Sequence, residues 1–323
     1  MPETRDIPLA EARALIARAI DKAEQLGLRG GIAVVGGTGA LVSTSRMDRG
    51  GAGGMARARS KAWISATQQI PSAEHLARMN FVSPPVEKGF VLCSPEAAFP
   101  GAGGMPIVDG DEVIGGIAAS GATVSPFFPA GIEQDRMIAD GRPANPEDLL
   151  IHYALGLPYA GQHGDDHERW ARSFGPFPED APQGAGMAAA PPAGQQQELA
   201  GAIRLADAVM QEAARRGALV AVAVVDRRGD PIQQDGMDGS PTAAGFLAPA
   251  LAATAATFEL PSEQVAGRFP QAMLERLLPY AVSTAAGGIP IRQGGRVVGG
   301  LGVAGPDPAL AAEIVVAALK AFA

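Results

Sequence analysis

The sequence predicts an α/β protein of the α+β kind, made of two similar domains, each a mainly antiparallel sheet flanked by helices. Three observations predict it. The chain has 323 residues, room for two domains of ~100–200 residues each. Hydrophobic residues make up 47% and charged residues 19%, so each half can bury a core. And one segment occurs twice: "GGMPIVDGDEVIGGIAASG", Gly103 to Gly121, returns as "GGIPIRQGGRVVGGLGVAG", Gly287 to Gly305, with nine of nineteen positions identical. A repeat at fixed spacing decides the architecture.

Each copy opens on an amphipathic helix, Leu9–Gly27 and Glu198–Gly217, with apolar residues at helical spacing and a Gly at the end. Next come "GIAVVGGTGALVSTSRMD" and "AVAVVDRRGDPIQQDGMD". Their "GGTG" and "DRRGD" sit at turn positions, so both read as β-hairpins. A second helix spans about Met55–Gln68 and Thr242–Phe258. Ser72 and Ser262 stand where they would N-cap a third, short helix. The repeated segment then reads as strand, turn ("VDGDE", "RQGGR") and strand. The glycine pairs Gly115-Gly116 and Gly299-Gly300 inside these strands mark close helix-on-sheet packing or the approach of a ligand. A last helix closes each copy, at about Ile132–Asp140 or beyond and at Pro308–Phe322. Hairpins give antiparallel pairing, with helices laid on the sheet. The boundaries are residues 1–125 for copy one, 126–173 for a histidine-containing insertion with the short helix "NPEDLLIHYALG", 174–197 for a Pro/Ala/Gly-rich linker, and 198–323 for copy two.

Bulk charge narrows the function. The net charge of −8 and pI of about 5.1 argue against nucleic acid or an anionic membrane as partner, since both need a basic footprint. No apolar run approaches the ~18 residues of a membrane span. The N-terminus reads as a helix start and not as a signal peptide. One cysteine, Cys93, leaves no internal disulfide. The expectation is a soluble, cytoplasmic protein.

Several motifs together carry a family resemblance. They are "VAVVD-x-x-G" (Val222–Gly229), "RMD" (Arg46–Asp48) and "GMDG" (Gly236–Gly239), the Lys61-Ala62 pair inside a helix, "GG-x-P-I…G-x-V-x-GG-x-x-x-SG" (Gly103–Gly121), and "EQD" (Glu133–Asp135). In these the chain resembles the GlcG/HbpS-like family, also called DUF336 or the haem-degrading domain family. The resemblance implies an antiparallel sheet of about five strands per copy and a tendency to homo-oligomerise. Some members bind haem, a related domain is fused to corrinoid adenosyltransferases, and many members sit among catabolic genes. Since most members have one domain, a tandem chain resembles a covalently joined dimer.

The copies differ in chemistry. Copy one's second helix carries Arg57, Arg59 and Lys61, with Arg46 just before it. Counted from the shared Pro-Ser, Lys61 aligns with Leu251, and copy two's helix has no charged residue. So uncharged a helix is expected to be buried on several faces, packing against the other copy. All four histidines, His75, His152, His163 and His167, lie outside copy two. The site is therefore expected in copy one, with copy two as scaffold.

Three candidate sites follow. Lys61 with Arg46, Arg57 or Arg59 would hold a carboxylate or a haem propionate, helped by backbone N–H groups at Gly103 and Gly104. His163 and His167, four apart, would share a helix face and grip a divalent metal (Fe, Zn or Mn), with His152, Asp165 or Asp166 completing the set. His75 is a candidate axial haem ligand. Cys93 reads as a small buried apolar residue. No P-loop, nucleophile elbow or dinucleotide fingerprint is present. The leading reading is binding of a small anionic or planar ligand, haem included, in copy one. The alternative is a catabolic enzyme of lyase, hydrolase or oxygenase type acting on a small carboxylated or aromatic compound, with Lys61, His163 and His167 catalytic.

Overall fold

The computed structural model describes residues 5–26, 28–82, 98–122, 137–139, 142–162, 197–270, 272–274 and 282–322. They divide into two compact units: Met1–Ala40 with Arg46–Gln195, and Leu41–Ser45 with Gln196–Ala323.

The first unit begins with α1 (Leu9–Gln25), whose buried Ala12, Ile16, Ala19 and Ala23 form the predicted apolar stripe. After β1 (Gly31–Gly36) comes β2 (Leu41–Arg46), then α2 (Ala52–Gln68), α3 (Ser72–Val82), β3 (Gly104–Asp109) and β4 (Glu112–Ser120). β4 pairs antiparallel with β1 on one side and β3 on the other. Of the closing helix expected at about Ile132–Asp140 or beyond, residues 132–136 and 140 lie outside the described residues. Residues Met137–Ala139 are a short strand, β5, paired with β6 (Arg142–Ala144). In the sequence, Asp140-Gly141 between the two is a hairpin signal that breaks a helix. Helix α4 (Pro146–Leu155) follows and packs on α1.

The second unit repeats the order: α5 (Gln197–Arg215), β7 (Ala221–Asp226), β8 (Pro231–Gly236), α6 (Thr242–Phe258), α7 (Ser262–Arg268), β9 (Gly288–Gln293), β10 (Arg296–Ala304) and α8 (Pro308–Phe322). Its sheet has five antiparallel strands: β9, β10, β7, β8 and, at the end, β2. The β2–β8 ladder is polar and buried. Ser43 Oγ donates to Asp235 Oδ1 (2.8 Å) and Ser45 Oγ to Gln233 Oε1 (2.6 Å). Gln233 Nε2 in turn donates to both Asp235 oxygens (3.0 and 2.9 Å).

The buried side of α6 lies on its own sheet. Ala244, Ala248, Leu251, Ala252 and Ala256 pack with Ala221, Ala223, Val225 and Ala304 of the strands, while Phe246 and Leu247 are exposed. The glycine pairs serve this packing. A Cβ on Gly116 would stand 2.2 Å from the Ala62 carbonyl oxygen, and one on Gly300 would stand 2.1 Å from that of Ala252. Both obstacles are helix backbone. Gly300→Ala should therefore destabilise by about 1–3 kcal/mol, read as a lowered midpoint in urea unfolding.

Ser72 and Ser262, expected as N-caps, do other work. Ser262 Oγ donates to the Ala285 carbonyl (2.5 Å) and accepts from Gly288 N–H (3.0 Å). Ser72 Oγ donates to the Gly101 carbonyl. Each hydroxyl fastens the start of a helix to the Gly-Gly segment entering the next strand. Among the described residues no single helix is long and apolar enough to cross a membrane.

Candidate functional site

Lys61 lies inside α2, 3% exposed. Its Nζ donates to Glu147 Oε2, to the Ala119 carbonyl (3.4 Å) and to Ser120 Oγ (3.4 Å), and stands 5.7 Å from the centre of the Phe99 ring. Glu147 comes from the first turn of α4. Its other oxygen accepts from Gly121 N–H (2.7 Å) and Ala122 N–H (3.4 Å). Arg57, exposed one turn before Lys61, donates from Nε to Ser120 Oγ (3.3 Å).

The next residue, Asp148, is fully buried. Oδ1 accepts from Gly103 N–H (2.7 Å) and Oδ2 from Gln162 N–H (2.9 Å). Burial pushes its carboxyl up to about 7, against those two N–H bonds and Lys61, with the nearby Glu147 adding to the rise. Gln162 spans the site: its side chain accepts from Ala73 N–H (3.0 Å) and donates to the Gly104 carbonyl (2.9 Å). His152, 4% exposed, has Nδ1 2.8 Å from the Asp148 carbonyl. A carbonyl only accepts, so Nδ1 carries a hydrogen. Tyr159 meets the His152 ring edge-on at 5.9 Å and accepts from Asn145 N–H (2.9 Å). Burial is the main reason its hydroxyl is raised to about 12.

Of the residues expected to receive an anion, Lys61 bonds to Glu147, Gly103 N–H to Asp148, Arg57 to Ser120, and Gly104 contributes its carbonyl to Gln162. Arg46 is buried and donates to the Gly50 carbonyl (3.4 Å). His75 is buried on α3, and burial, then Arg78, holds its ring below the usual histidine range. His163, His167, Asp165, Asp166, Cys93 and Glu133–Asp135 lie outside the described residues. Among the described residues no three His, Cys, Asp or Glu side chains group as a metal site.

Glu147, Asp148, Ser120 and Gln162 were not singled out from the sequence. The signal was there in the helix starts. Asn145 Oδ1 accepts from the N–H groups of Glu147 and Asp148 (2.9 and 3.2 Å), and Asp307 Oδ1 from those of Ala309 and Leu310 (2.9 and 3.2 Å). Each cap precedes a Pro. α4 packs on α1 as α8 packs on α5. In its cap and its packing α4 thus resembles α8. Aligned on these features, six polar residues of copy one correspond in position to apolar ones in copy two: Lys61 and Leu251, His75 and Val265, Ser120 and Ala304, Glu147 and Ala309, Asp148 and Leu310, His152 and Ile314. Leu251, Val265, Ala304 and Ile314 are buried. Copy two has a half-open pocket of about 400 Å³, lined by Leu205, Val225, Ile232 and Ile291 together with Glu198 and Gln293 among others.

The model of the family described as "haem degrading protein HbpS-like" matches residues 7–126 and 198–320. The chain belongs to the HbpS-like family. It carries two HbpS-like regions in tandem, the first ending just past β4. A double mutant of Streptomyces reticuli HbpS is 32% identical over 39% of this chain and 86% of its own, with a TM-score of 0.36. Klebsiella pneumoniae ORFY is 23% identical over 38% and 88%, with a TM-score of 0.36. A structure described as a PduOC:heme complex is 26% identical over 37% and 89%, with a TM-score of 0.35. No curated protein matches the chain.

Proposed function

We propose that this HbpS-like chain binds a small anionic or planar ligand in copy one, with Lys61 as the cation that receives it and haem as the leading candidate. The observation that carries the reading is the coordinated loss. Where copy one buries Lys61, Ser120, Asp148 and His152 and half-buries Glu147, copy two has Leu251, Ala304, Leu310, Ile314 and Ala309 at the corresponding positions. Packing alone asks only for apolar residues there, so the polar set serves something else. The family description supports haem. Two residues present suit that group: Lys61, with Arg57 nearby, would hold a propionate, and the ring of His75, which burial and then Arg78 shift below the usual histidine range, would ligate iron.

Haem titration followed at the Soret band tests this. One equivalent should bind the wild type. His75→Ala should shift the band if His75 ligates iron, and the double variant Lys61→Leu/Glu147→Ala, which copies Leu251 and Ala309, should weaken binding at least tenfold. Unchanged binding in the double variant would remove Lys61 from the site. A second equivalent would point to the half-open pocket of copy two.

The second reading is a catabolic enzyme for a small carboxylated or aromatic compound. It is favoured by Asp148, a buried acid that exchanges its proton near neutrality. In its metal-dependent form, His152 would join His163, His167 and Asp166 on Fe, Zn or Mn. Metal counting by mass spectrometry on untagged protein checks it: about one metal per chain, lost in His163→Ala, is the expected result.

A further inference from the structure

We infer that the ligand group received by Lys61 is a carboxylate, and that Glu147 is the chain's own competitor for that place. The inference rests on the reading of copy one as a ligand site. Four observations lead to it. First, the donors converging on the Glu147 carboxylate are a complete receptor for such a group: Lys61 Nζ on one oxygen, with Gly121 and Ala122 N–H on the other. An ammonium plus two backbone N–H groups is the chemistry that recognises a free carboxylate.

Second, the fold does not need the pair. α8 is capped by Asp307 and packs on α5 with an exposed Ala309 and a half-buried Leu310 where α4 has Glu147 and Asp148, and α6 has Leu251 in place of Lys61. Buried ion pairs are often replaceable by apolar residues at no loss of stability, and copy two shows the replacement within this chain. Third, the two partners are unequally buried. The Lys61 side chain is 3% exposed and that of Glu147 13%, so Lys61 is the fixed inner member and Glu147 the outer one. Rotation of one side chain at the start of α4 would return Glu147 to water and leave Lys61 facing the incoming anion. Fourth, the exposed Arg57, held at Ser120 Oγ, the same hydroxyl Lys61 donates to, puts a second cation on the outer side. Electrostatics there attract the anion that exchanges with Glu147.

Acetate is the probe, measured by calorimetric titration of the full-length protein in carboxylate-free buffer. Glu147→Gln keeps the shape and removes the competing charge, so it should bind acetate at least tenfold more tightly than wild type. Lys61→Leu/Glu147→Ala should bind none while keeping a cooperative thermal transition. In the wild type, acetate should weaken haem binding in proportion to its occupancy. Absence of acetate binding in folded Glu147→Gln overturns the inference, as does equal binding in the double variant, which would mark an adventitious surface site. If haem binds the wild type but acetate neither binds nor competes, the inference fails and the ligand-site reading stands. If neither binds, the reading itself falls.

Discussion

Glu147→Ala alone should destabilise the protein by about 3–5 kcal/mol, because it leaves an ammonium buried without its counter-charge. Lys61 is 3% exposed and its remaining acceptors, the Ala119 carbonyl and Ser120 Oγ, are each 3.4 Å away. Neither offsets a full charge. Lys61→Leu alone should cost less, about 1–3 kcal/mol, since Glu147 is the more exposed member and keeps its bond from Gly121 N–H. The double variant should recover most of the loss. The sum of the single effects exceeding the double by at least about 2 kcal/mol is the signature of direct coupling. Urea unfolding of the four proteins in acetate-free buffer gives the cycle. Additive losses would mean that the pair does not interact in solution.

Asp148 should make stability fall as pH rises through the range just below neutral. Its ordinary value is 3.8 and its native value about 7. Between these the native carboxyl holds a proton that the unfolded one has released, so unfolding releases a proton and higher pH favours it. The stabilising contribution is complete below pH 3.8, declines up to about pH 7 and is flat beyond. Three units at about 1.4 kcal/mol each set an upper bound of ~4 kcal/mol. Asp148→Asn cannot titrate, so the difference between wild-type and variant stability should carry this slope and cancel the contribution of every other acid. Parallel curves from pH 4 to 8 would refute the assignment. A variant uniformly weaker by a constant amount would show only the lost bond to Gly103 or Gln162.

The periodic and repeated parts of the sequence were the legible ones. α2 and α6 lie within a few residues of where their apolar spacing places them, and the strands of both Gly-Gly segments form as read. The glycines announced tight packing because a backbone contact leaves only one residue type. Lys61 stood out because its partner position in copy two is Leu251. What sequence could not give was the residue opposite Lys61. Glu147 is 86 positions away, and a tempting Glu-Gln-Asp sat nearer, at Glu133–Asp135. That run lies outside the described residues, whereas the caps of Asn145 and Asp307 are a feature the two helix starts share. The serines are ambiguous for a related reason. A Ser at a helix start has two ways to use its hydroxyl, and only the tertiary position of Gly101 and Ala285 decides between them.

The polar ladder of β2 on β8 changes what the repeat means for assembly. The strand Leu41–Ser45 is encoded in copy one, yet completes the sheet of the second unit. Two separate chains exchanging such a strand would assemble to a degree set by their concentration. Here donor and acceptor are tethered, so completion of the sheet is a first-order event, independent of dilution. The order of synthesis suits it too, because Ser43 and Ser45 leave the ribosome long before Gln233 and Asp235 need them. A chain cut down to copy two would have every core residue of its own half and would still present an unfinished edge lined with a carboxylate and two amides.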